Sequence, residues 1–445
     1  MVIICIVAEP PRPLVHFTPE RGWLNDPHAV VHEGGRYHLF FQNAPGSLTW
    51  QPEIAWGHAT SVDLITWHEE PVALAPLADE TGCWTGTVAM TADGPVILYT
   101  SVLGQGHELG MGRVAVARGD ASLEHWARAA DRFVIAEPPE VDGDTVTAFR
   151  DPYVWPHGDG WVMVIGAGLE RRGGAVLQYR SGDLVNWKFD GVVADASSIG
   201  AVISQPAHPV HRGTTWECPL LFPLDGSWVL LVSVWDGGVL FYVAAAVGSY
   251  DGSRFVARSW ERFTHGDLLY AATTFVDEGG RRCALAWLRE GLGDAGVGRV
   301  RSGALSLPYV LRLEGDRLFA TVHPAVASLG GDWPGSAAAA GPHVRRTGTA
   351  SCSPGGSVEI TLVPRAPDEE DRVVITLTER EVVVRPLGAD LLATAPLAPG
   401  QEREVAVVLD GDILELSISG MAGLLATRVP VQAGRSVEVV FGDRP

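Results

Sequence analysis

The 445-residue sequence predicts an all-β protein in which a five-bladed β-propeller is followed by a C-terminal β-sandwich. Three observations lead to this prediction. A hairpin-like unit recurs five times in the first part of the chain, the last part changes composition while keeping short β-rich runs, and neither part favours a long helix. The predicted domains are residues 1–316 for the propeller and residues 317–445 for the sandwich.

The repeated unit consists of a short apolar run, a glycine-rich turn and a second apolar or aromatic run. Asp-Gly and Gly-Gly turns between β-rich runs are strong hairpin signals. Most copies continue to a turn around an aspartate and then to an aromatic residue, so each unit of roughly 55 to 65 residues has room for the four strands of a propeller blade. The first apolar runs of the five copies are Ala29–Val31, Val88–Met90, Tyr153–Trp155, Leu220–Phe222 and Ala272–Phe275.

The chain changes character at about Arg317. Tryptophan is frequent before this point and afterwards occurs only at Trp333. Asp410–Gly411 is predicted as a hairpin turn, and the Gly330–Gly341 segment as the connection from the propeller. Short strand-like runs separated by turn signals favour a β-sandwich. These runs are Val358–Val363, Val373–Leu377, Val405–Leu409, Ile413–Ile418 and Val437–Phe441.

The charge balance limits the classes of partner. With 33 basic and 53 acidic residues the formal net charge is −20, so no overall positive field attracts a phosphate backbone or an anionic bilayer. No apolar run approaches the length of about 18 residues that a membrane span needs. The sequence therefore predicts neither a nucleic-acid nor a membrane partner, and it leaves the oligomeric state open.

The cysteines indicate a cellular location. Five cysteines are scattered along the chain without a C-x-x-C pair, so we interpret them as reduced thiols of a cytoplasmic protein. The apolar start Met1–Ala8 lacks the basic region of a signal peptide. Secretion is expected only if the start codon is misplaced.

Three acidic residues stand just before the first strand of a predicted blade, and each is followed by proline one or two positions later: Asp26, Asp151 and Glu217. A propeller brings the starts of these strands to its central channel, so the three carboxyl groups should converge there. Because proline is tolerated at the first residue of a strand, one such pair would be explained by structure alone. Three copies favour a functional site.

Clustered carboxylates suit acid–base chemistry. They repel one another, so one carboxyl has a raised pKa and keeps its proton while its neighbours stay ionised. This supplies the acid and the nucleophile that glycoside hydrolysis requires. A calcium site is the alternative use of three acids, but there is no D-x-D-x-D loop and Arg150 adjoins one acid.

Residues near these acids indicate a neutral, hydroxyl-rich ligand. His38, Phe40 and Gln42 share one face of a predicted strand. Indole rings pack on the C–H face of a sugar, and amide groups bind its hydroxyls. The tryptophans in or near the following loops are Trp50, Trp56 and Trp84. Those that recur at equivalent repeat positions are predicted as blade core, namely Trp67, Trp126 and Trp187.

Together these motifs resemble, in order and over most of the chain, glycoside hydrolase family 32, the invertase and fructan hydrolase family. The blocks that carry the resemblance are His16–Pro19, Trp23–Pro27, Leu39–Gln42, Trp56–Ser61, Trp84–Thr87, Phe149–Pro152, Trp216–Pro219 and Gly303–Pro308. The family's fold is a five-bladed propeller with a C-terminal sandwich, in agreement with the repeats.

The resemblance also implies roles for the acids. Asp26 is implied as the nucleophile that attacks C2 of a β-fructofuranosyl unit, and Glu217 as the general acid and then the base. Asp151 is implied to stabilise the transition state, with Arg150 keeping it ionised. A retaining mechanism predicts that the Asp26 and Glu217 carboxyls lie roughly 5 to 5.5 Å apart. No metal or organic cofactor is implied. The implied substrate-binding residues are Trp23, Asn25, Gln42, Trp50, Trp84, Thr85, Arg150, Cys218, Tyr270 and Trp287.

Three positions depart from the family pattern. His28 follows the nucleophile where asparagine is usual, either as a titratable ring beside the site or as a structural replacement. Thr85 replaces serine and should keep its hydroxyl contact. Leu268 stands where the family has an aspartate, unless that acid is displaced to Asp267, so the leaving-group subsites are expected to be unusual.

The sequence predicts a β-fructosidase acting on sucrose, short fructo-oligosaccharides, levan or inulin, and leaves alternatives open. A fructosyltransferase uses the same covalent intermediate. A sucrose-6-phosphate hydrolase needs a basic pocket, for which Arg171–Arg172 and Arg281–Arg282 are the only candidates. A non-catalytic fructan-binding propeller is disfavoured because all three acids are present.

Overall fold

The computed structural model describes residues 12–105, 110–201, 209–290, 300–327, 343–351, 356–364, 372–386, 391–400, 402–429 and 437–444. Within these ranges the helices are a 3₁₀ helix, Ala196–Ala201, and one α-helix, Pro324–Ala327. Five antiparallel sheets form the blades of a propeller and two more form a sandwich. The predicted all-β fold class is confirmed, with the same number of blades.

Blades 1 to 4 each follow the hairpin order of the sequence. Blade 1 contains β1 (Gly22–Glu33), β2 (Arg36–Ala44), β3 (Ala55–Ser61) and β4 (Trp67–Leu74). Blade 2 contains β5 (Gly82–Thr91), β6 (Gly94–Val102), β7 (Arg113–Gly119), β8 (Trp126–Ala127) and β9 (Phe133–Ile135). Blade 3 contains β10 (Val146–His157), β11 (Gly160–Leu169), β12 (Gly173–Ser181) and β13 (Lys188–Asp195). Blade 4 contains β14 (Thr215–Leu224), β15 (Ser227–Asp236), β16 (Val239–Tyr250) and β17 (Phe255–Arg262).

The predicted aspartate turns close the outer hairpins. In the first of them, Asp63 Oδ1 accepts hydrogen bonds from the backbone N–H groups of Ile65 and Thr66, and Leu64 takes a φ of 65°. The Nε1–H of Trp67 donates to the carbonyl of Leu64. Such side chain to backbone bonds are the means by which aspartate initiates turns. Rings from these turns pack against the blade cores, as predicted for Trp67, Trp126 and Trp187.

Blade 5 closes the ring. After β18 (Thr264–His265), the chain forms β19 (Leu269–Val276), β20 (Arg282–Leu288), β21 (Arg301–Ser302), β22 (Ala304–Leu305), β23 (Tyr309–Glu314) and β24 (Arg317–Val322). Strand β21 pairs in parallel with the start of β1, so a late segment joins the first blade. Gly22 at this junction has a φ of 81°, and a Cβ there would lie 2.3 Å from the carbonyl oxygen of Ala44, so the closure requires glycine.

The predicted domain boundary at residue 317 is wrong by one strand. Strand β24 pairs antiparallel with β23 and belongs to blade 5, so the propeller extends to Val322. The change in tryptophan content therefore does not mark the end of the propeller.

The sandwich consists of two five-stranded sheets. Its own strands are β25 (His343–Ser351), β26 (Ser357–Pro364), β27 (Val373–Leu377), β28 (Glu381–Pro386), β29 (Ala393–Pro396), β30 (Glu402–Asp410), β31 (Ile413–Ile418), β32 (Leu424–Arg428) and β33 (Val437–Arg444). Strand β18, from between blades 4 and 5, pairs in parallel with β32 and becomes the edge of one sheet. The predicted connection Gly330–Gly341 lies outside the described residues.

The described cysteines Cys83, Cys218 and Cys283 are buried free thiols, and Cys5 and Cys352 lie outside the described residues. In the part of the chain that the structure covers, no helix combines the length and the apolar character needed to cross a bilayer.

Candidate active site

The first strands of the five blades contact one another in a closed ring around the channel. Each of them has a register shift against its neighbour at the same level. A bulge re-aims side chains away from the sheet, so these shifts turn polar groups into the channel. The shifts lie between Leu24 and Pro27, Trp84 and Gly86, Arg150 and Tyr153, Glu217 and Leu220, and Tyr270 and Thr273.

The bulges place the three acids at two levels. Asp26, Asp151 and Cys218 directly precede proline, whereas Glu217 stands one position earlier. By register, Glu217 therefore corresponds to Arg150 and Asp151 to Cys218. The three carboxyl groups converge as predicted. Glu217, however, lies two residues before the proline of its strand, whereas Asp26 and Asp151 lie one residue before theirs.

Asp26 is held by neutral donors. Its Oδ2 accepts hydrogen bonds from Thr85 Oγ1 at 2.7 Å and Gln42 Nε2 at 3.2 Å, and its Oδ1 accepts one from Asn25 Nδ2 at 2.9 Å. Trp23 Nε1 donates to Asn25 Oδ1 and fixes the orientation of that amide. Burial raises the pKa of Asp26, the bond from Thr85 opposes the rise, and the charge of Glu217 adds to it.

Glu217 is held by a cation and a phenol. Arg150 donates to Glu217 Oε1 from Nε at 3.1 Å and from Nη2 at 2.9 Å. Tyr270 donates from its hydroxyl to Oε2 at 2.6 Å, and burial raises the pKa of Tyr270 well above its usual value, so it remains a donor. The two oxygens of Glu217 are thus fixed from different blades.

Asp151 and Cys218 connect the other two acids. The backbone N–H of Cys218 donates to Asp151 Oδ2 at 2.9 Å, and its Sγ lies 3.7 Å from that oxygen and 3.5 Å from Asp26 Oδ2. Burial raises the pKa of Cys218 well above its ordinary value, so the group is a thiol and not a third anion between two carboxyls.

The expectation that Arg150 keeps Asp151 ionised is wrong. Both hydrogen bonds from the guanidinium to a carboxylate go to Glu217, and neither goes to Asp151. Burial raises the pKa of Asp151 to about 7; the charge of Arg150 opposes this rise, and those of Glu217 and Asp26 add to it. Burial therefore outweighs the charge of Arg150 in setting the pKa of Asp151.

Four predicted tryptophans form one wall. Trp23 and Trp287 meet edge to face with ring centroids 5.6 Å apart, and Trp50 and Trp84 do so at the same distance. Trp84 Nε1 donates to the carbonyl of Pro52 at 2.9 Å, which fixes its ring, while Trp50 is 44% exposed. Trp287 Nε1 is buried and has no acceptor among the described residues. Of these rings, Trp50 offers an exposed apolar face, whereas the N–H of Trp287 is buried.

Several residues expected near the acids lie elsewhere. Phe40 stacks on His58 and packs against Trp56 in the interior of blade 1, and His38 is hydrogen-bonded to His58 at 3.1 Å. Of the predicted strand face, only Gln42 reaches the channel, because the strand runs outward from it.

His28 is a structural replacement and does not titrate near neutral pH. Its ring stacks on Trp56 with centroids 4.1 Å apart, and both ring nitrogens are buried without a partner among the described residues. Burial lowers the pKa of His28 well below its usual range. The ring is therefore neutral.

The leaving-group side lacks the expected acid. Leu268 is buried in the core shared by blades 4 and 5, and Asp267 is exposed with its carbonyl bound to Arg289. Neither candidate arginine pair forms a phosphate pocket. Arg171 and Arg172 are paired with Asp144, Arg281 is bound to Asp277, and the Arg282 guanidinium lies over the Phe222 ring.

One described cluster has metal-ligand chemistry but does not fit an ion. Asp277, Cys283 and His323 have ligand atoms within 4.8 Å of one another. The backbone N–H of Ala325 donates to His323 Nδ1, so Nε2 carries the proton that it donates to Asp277 Oδ2 at 2.9 Å. Arg281 already supplies the positive charge at that carboxylate, 2.6 Å away. The cluster is an ion-paired anchor of the β19–β20 turn.

The sequence analysis missed Thr100. This fully buried residue of β6 accepts a hydrogen bond from the backbone N–H of Asp151 at 2.8 Å and donates one to the carbonyl of Thr85 at 2.9 Å. No sequence signal distinguishes it, since a lone threonine in an apolar strand is ordinary.

Comparison with known proteins gives consistent findings. The model of the glycosyl hydrolases family 32 N-terminal domain matches residues 16–321. A sucrose-6-phosphate hydrolase of Escherichia coli is 32% identical over 62% of this chain and 57% of its own length. A fructan 6-exohydrolase of Triticum aestivum is 33% identical over 68% of this chain and 55% of its own length. The chain spans about half the length of these curated relatives.

Among solved structures, a Bombyx mori β-fructofuranosidase in complex with sucrose matches 97% of this chain and 92% of its own, with a TM-score of 0.78 and 23% identity. At this identity the match shows the same propeller and sandwich fold.

Proposed function

Because this chain belongs to glycosyl hydrolase family 32, we propose that it is a retaining glycosidase that releases terminal β-D-fructofuranosyl units from sucrose, fructo-oligosaccharides or fructans. The observation that carries the proposal is the arrangement of Asp26 and Glu217. Both are oriented by donors from several blades, and they meet in one channel lined by indole rings.

Asp26 has the environment of a nucleophile. Three amide or hydroxyl donors and the Cys218 thiol orient its carboxylate, and among the described residues no cation is bonded to it. In the first step Asp26 attacks C2 of the fructosyl unit, the bond from C2 to the glycosidic oxygen breaks, and that oxygen takes a proton from Glu217. The products of this step are a covalent fructosyl-enzyme and the free alcohol of the leaving sugar.

Glu217 completes the cycle as a base. It takes a proton from water, the water oxygen bonds to C2, and the bond from C2 to Asp26 breaks, which restores both carboxyl groups. Tyr270 and Arg150 keep the Glu217 carboxyl in place through both steps.

Asp151 is assigned to the fructosyl ring. Its Oδ2 is occupied by the backbone N–H of Cys218, and no described group donates to its Oδ1, which is left for the sugar hydroxyls. A carboxylate here also stabilises the positive charge that develops at C2 in the transition state.

A product assay tests the proposal. Purified protein is incubated with sucrose, 1-kestose, levan and inulin, and free fructose, free glucose and longer oligosaccharides are measured separately. Fructose release without longer products supports a hydrolase, and longer products support the fructosyltransferase alternative. Absence of turnover on all four substrates would contradict the proposal and support the non-catalytic alternative if binding persists.

Methanol as acceptor tests the stereochemistry. A retaining enzyme transfers the fructosyl unit to methanol as the methyl β-fructofuranoside, whereas the α-anomer would contradict an Asp26-linked intermediate. Asp26→Asn and Glu217→Gln should each lower kcat by at least about 10³-fold. Asp93→Asn, in an exposed turn of blade 2, is the matched control and should retain full activity.

A further inference from the structure

Thr100 joins two blades at the level of the site. The residue lies on β6 opposite the bulge of β5, with register partner Trp84. Its single hydroxyl accepts from the N–H of Asp151 in blade 3 and donates to the carbonyl of Thr85 in blade 2. Both partners belong to the proposed machinery, because Thr85 Oγ1 holds Asp26 and Asp151 is itself one of the three acids.

The backbone of Asp151 has an unfavourable conformation that neighbouring groups must hold in place. Its φ of 66° lies in the left-handed region, which side-chain-bearing residues enter only when the surroundings enforce it. Two contacts enforce it here: Thr100 binds the N–H of Asp151, and the N–H of Cys218 binds its carboxylate.

The Thr100 side chain is closely packed. Its methyl group packs against Gly112, where a Cβ would lie only 2.2 Å from Thr100 Cγ2. Gly112 is in turn fixed by a hydrogen bond from its N–H to the carbonyl of Phe149, two residues before Asp151. The hydroxyl is held by its two hydrogen bonds, to the N–H of Asp151 and the carbonyl of Thr85.

Strand β6 is also held on the face opposite to Thr100. Alternate residues of a strand face opposite sides, so Tyr99 and Ser101 point away from the channel. Their hydroxyls both donate to Glu80 Oε1 at 2.7 Å, and Glu80 Oε2 accepts from Arg128 Nη1 at 3.0 Å. The Glu80 side chain has no exposed surface. This buried carboxylate fixes the stretch of strand on which Thr100 stands.

We propose that Thr100, supported from behind by Glu80, is a positioning residue that sets the backbone of Asp151 and of Thr85 for the reaction. The proposal rests on the proposed function. It predicts that the hydroxyl group itself, and not the volume of the side chain, determines activity.

Ser233 supplies a matched control within the fold. It occupies the corresponding position of blade 4, facing Glu217 across the strand pair as Thr100 faces Trp84. Its Oγ is buried and has no hydrogen-bond partner among the described residues. Ser233→Ala therefore removes a buried hydroxyl from the equivalent strand position without breaking a hydrogen bond between blades.

The experiment compares Thr100→Val, Thr100→Ser and Ser233→Ala with the wild type, measuring kcat and KM on the best substrate and the melting temperature. Thr100→Val keeps the shape and leaves the Asp151 N–H and Thr85 carbonyl without a partner, so kcat/KM should fall by about 10- to 100-fold, mainly in kcat. Thr100→Ser keeps the hydroxyl and should stay within about 3-fold of wild type, as should Ser233→Ala. If Thr100→Val does not fold, Thr100→Ala is measured in its place.

The outcomes separate the two proposals. Unchanged kcat/KM in Thr100→Val, or equal losses in Thr100→Val and Ser233→Ala, would overturn the positioning role while the fructosidase activity stands. A wild-type protein inactive on every fructoside would contradict the proposed function instead.

Discussion

Two buried groups of carboxylates lie in this molecule and are used in opposite ways. In the channel, only Glu217 of the three acids Asp26, Asp151 and Glu217 accepts hydrogen bonds from a guanidinium. At the contact between propeller and sandwich, a single imidazole, that of His16, is bonded to both Asp410 and Glu415, at 2.8 and 3.0 Å. The difference lies in how many of the acids are hydrogen-bonded to a cationic side chain.

The interface acids are saturated. Asp410 accepts from the backbone N–H groups of Leu14, Val15 and His16 as well as from the imidazole. Glu415 accepts from the N–H of Leu307 and the hydroxyl of Tyr309. Burial alone lowers the pKa of His16, but the two carboxylates outweigh it and raise the pKa to about 9, so the ring is charged at neutral pH.

Both groups of acids are buried, and they differ in their bonds to a cation. At the interface, the His16 ring is bonded to both acids and anchors one domain to the other. In the channel, Asp26 and Asp151 have no bonded cation among the described residues, and burial together with acidic neighbours raises their pKa values, which costs stability.

The largest effect is expected for Asp151→Asn, which should lower kcat/KM by about 10³-fold while raising the melting temperature. The sign follows from the raised pKa of about 7. The unfolded state loses this proton near pH 4 and the folded state only near pH 7, so the acid reduces stability across that window and above it. Calorimetry at pH 8 should show the stabilisation, which should vanish at pH 4. If the variant is less stable than wild type at pH 8, Asp151 does not reduce the stability of the folded protein at that pH, and the comparison fails.

At the interface between propeller and sandwich, a substitution is expected to lower stability instead of raising it. His16→Ala leaves two buried carboxylates without their cation, so the free energy of unfolding should fall by about 3 to 5 kcal/mol. Chemical denaturation measures this change. Because the cluster lies outside the channel, kcat per folded molecule should stay within about 2-fold. His125→Ala, which removes an exposed histidine paired with Asp120, is the control and should change stability by less than about 1 kcal/mol.

The pH dependence of stability sharpens the same contrast. The pKa of His16 is raised from 6.5 to about 9 on folding, so its contribution is complete below pH 6.5 and is lost as the pH rises through 9. The difference in melting temperature between wild type and His16→Ala should therefore be largest at pH 6 and shrink toward pH 10. A constant difference would show that the ring is not charged.

The smallest effect is expected for His28→Phe. This ring is neutral, stacked on Trp56 and without hydrogen bonds among the described residues, so an apolar ring of similar size should replace it at a cost below about 1 kcal/mol. The pH profile of kcat/KM should be unchanged. A shift of either limb would revive the interpretation of His28 as a titrating neighbour of Asp26.

The repeated units of the sequence predicted the blades and the common channel. The sequence did not predict features that depend on a single side-chain contact. The convergence of Asp26, Asp151 and Glu217 was predictable because five similar units imply a ring, and a ring implies a common channel. The partner of Arg150 was not predictable, since the bulges that direct it to Glu217 appear only in the register.

Other positions show the same limit. Thr100 and Ser233 look alike in the sequence. Only the structure shows that the Thr100 hydroxyl has two hydrogen-bond partners and that the Ser233 hydroxyl has none among the described residues. Strand β24 was assigned to the sandwich because its composition resembles that domain. The carboxyl separation of Asp26 and Glu217 and the cytoplasmic location stay predictions.

The two-residue strand β18 has a consequence for the order of synthesis. Thr264 and His265 leave the propeller between blades 4 and 5, and their partners Leu424 and Leu425 are made some 160 residues later. During synthesis, all five blades therefore leave the ribosome before β18, which lies between blades 4 and 5, can pair with β32. The pairing of β18 with β32 is therefore among the last contacts between propeller and sandwich that a growing chain can form.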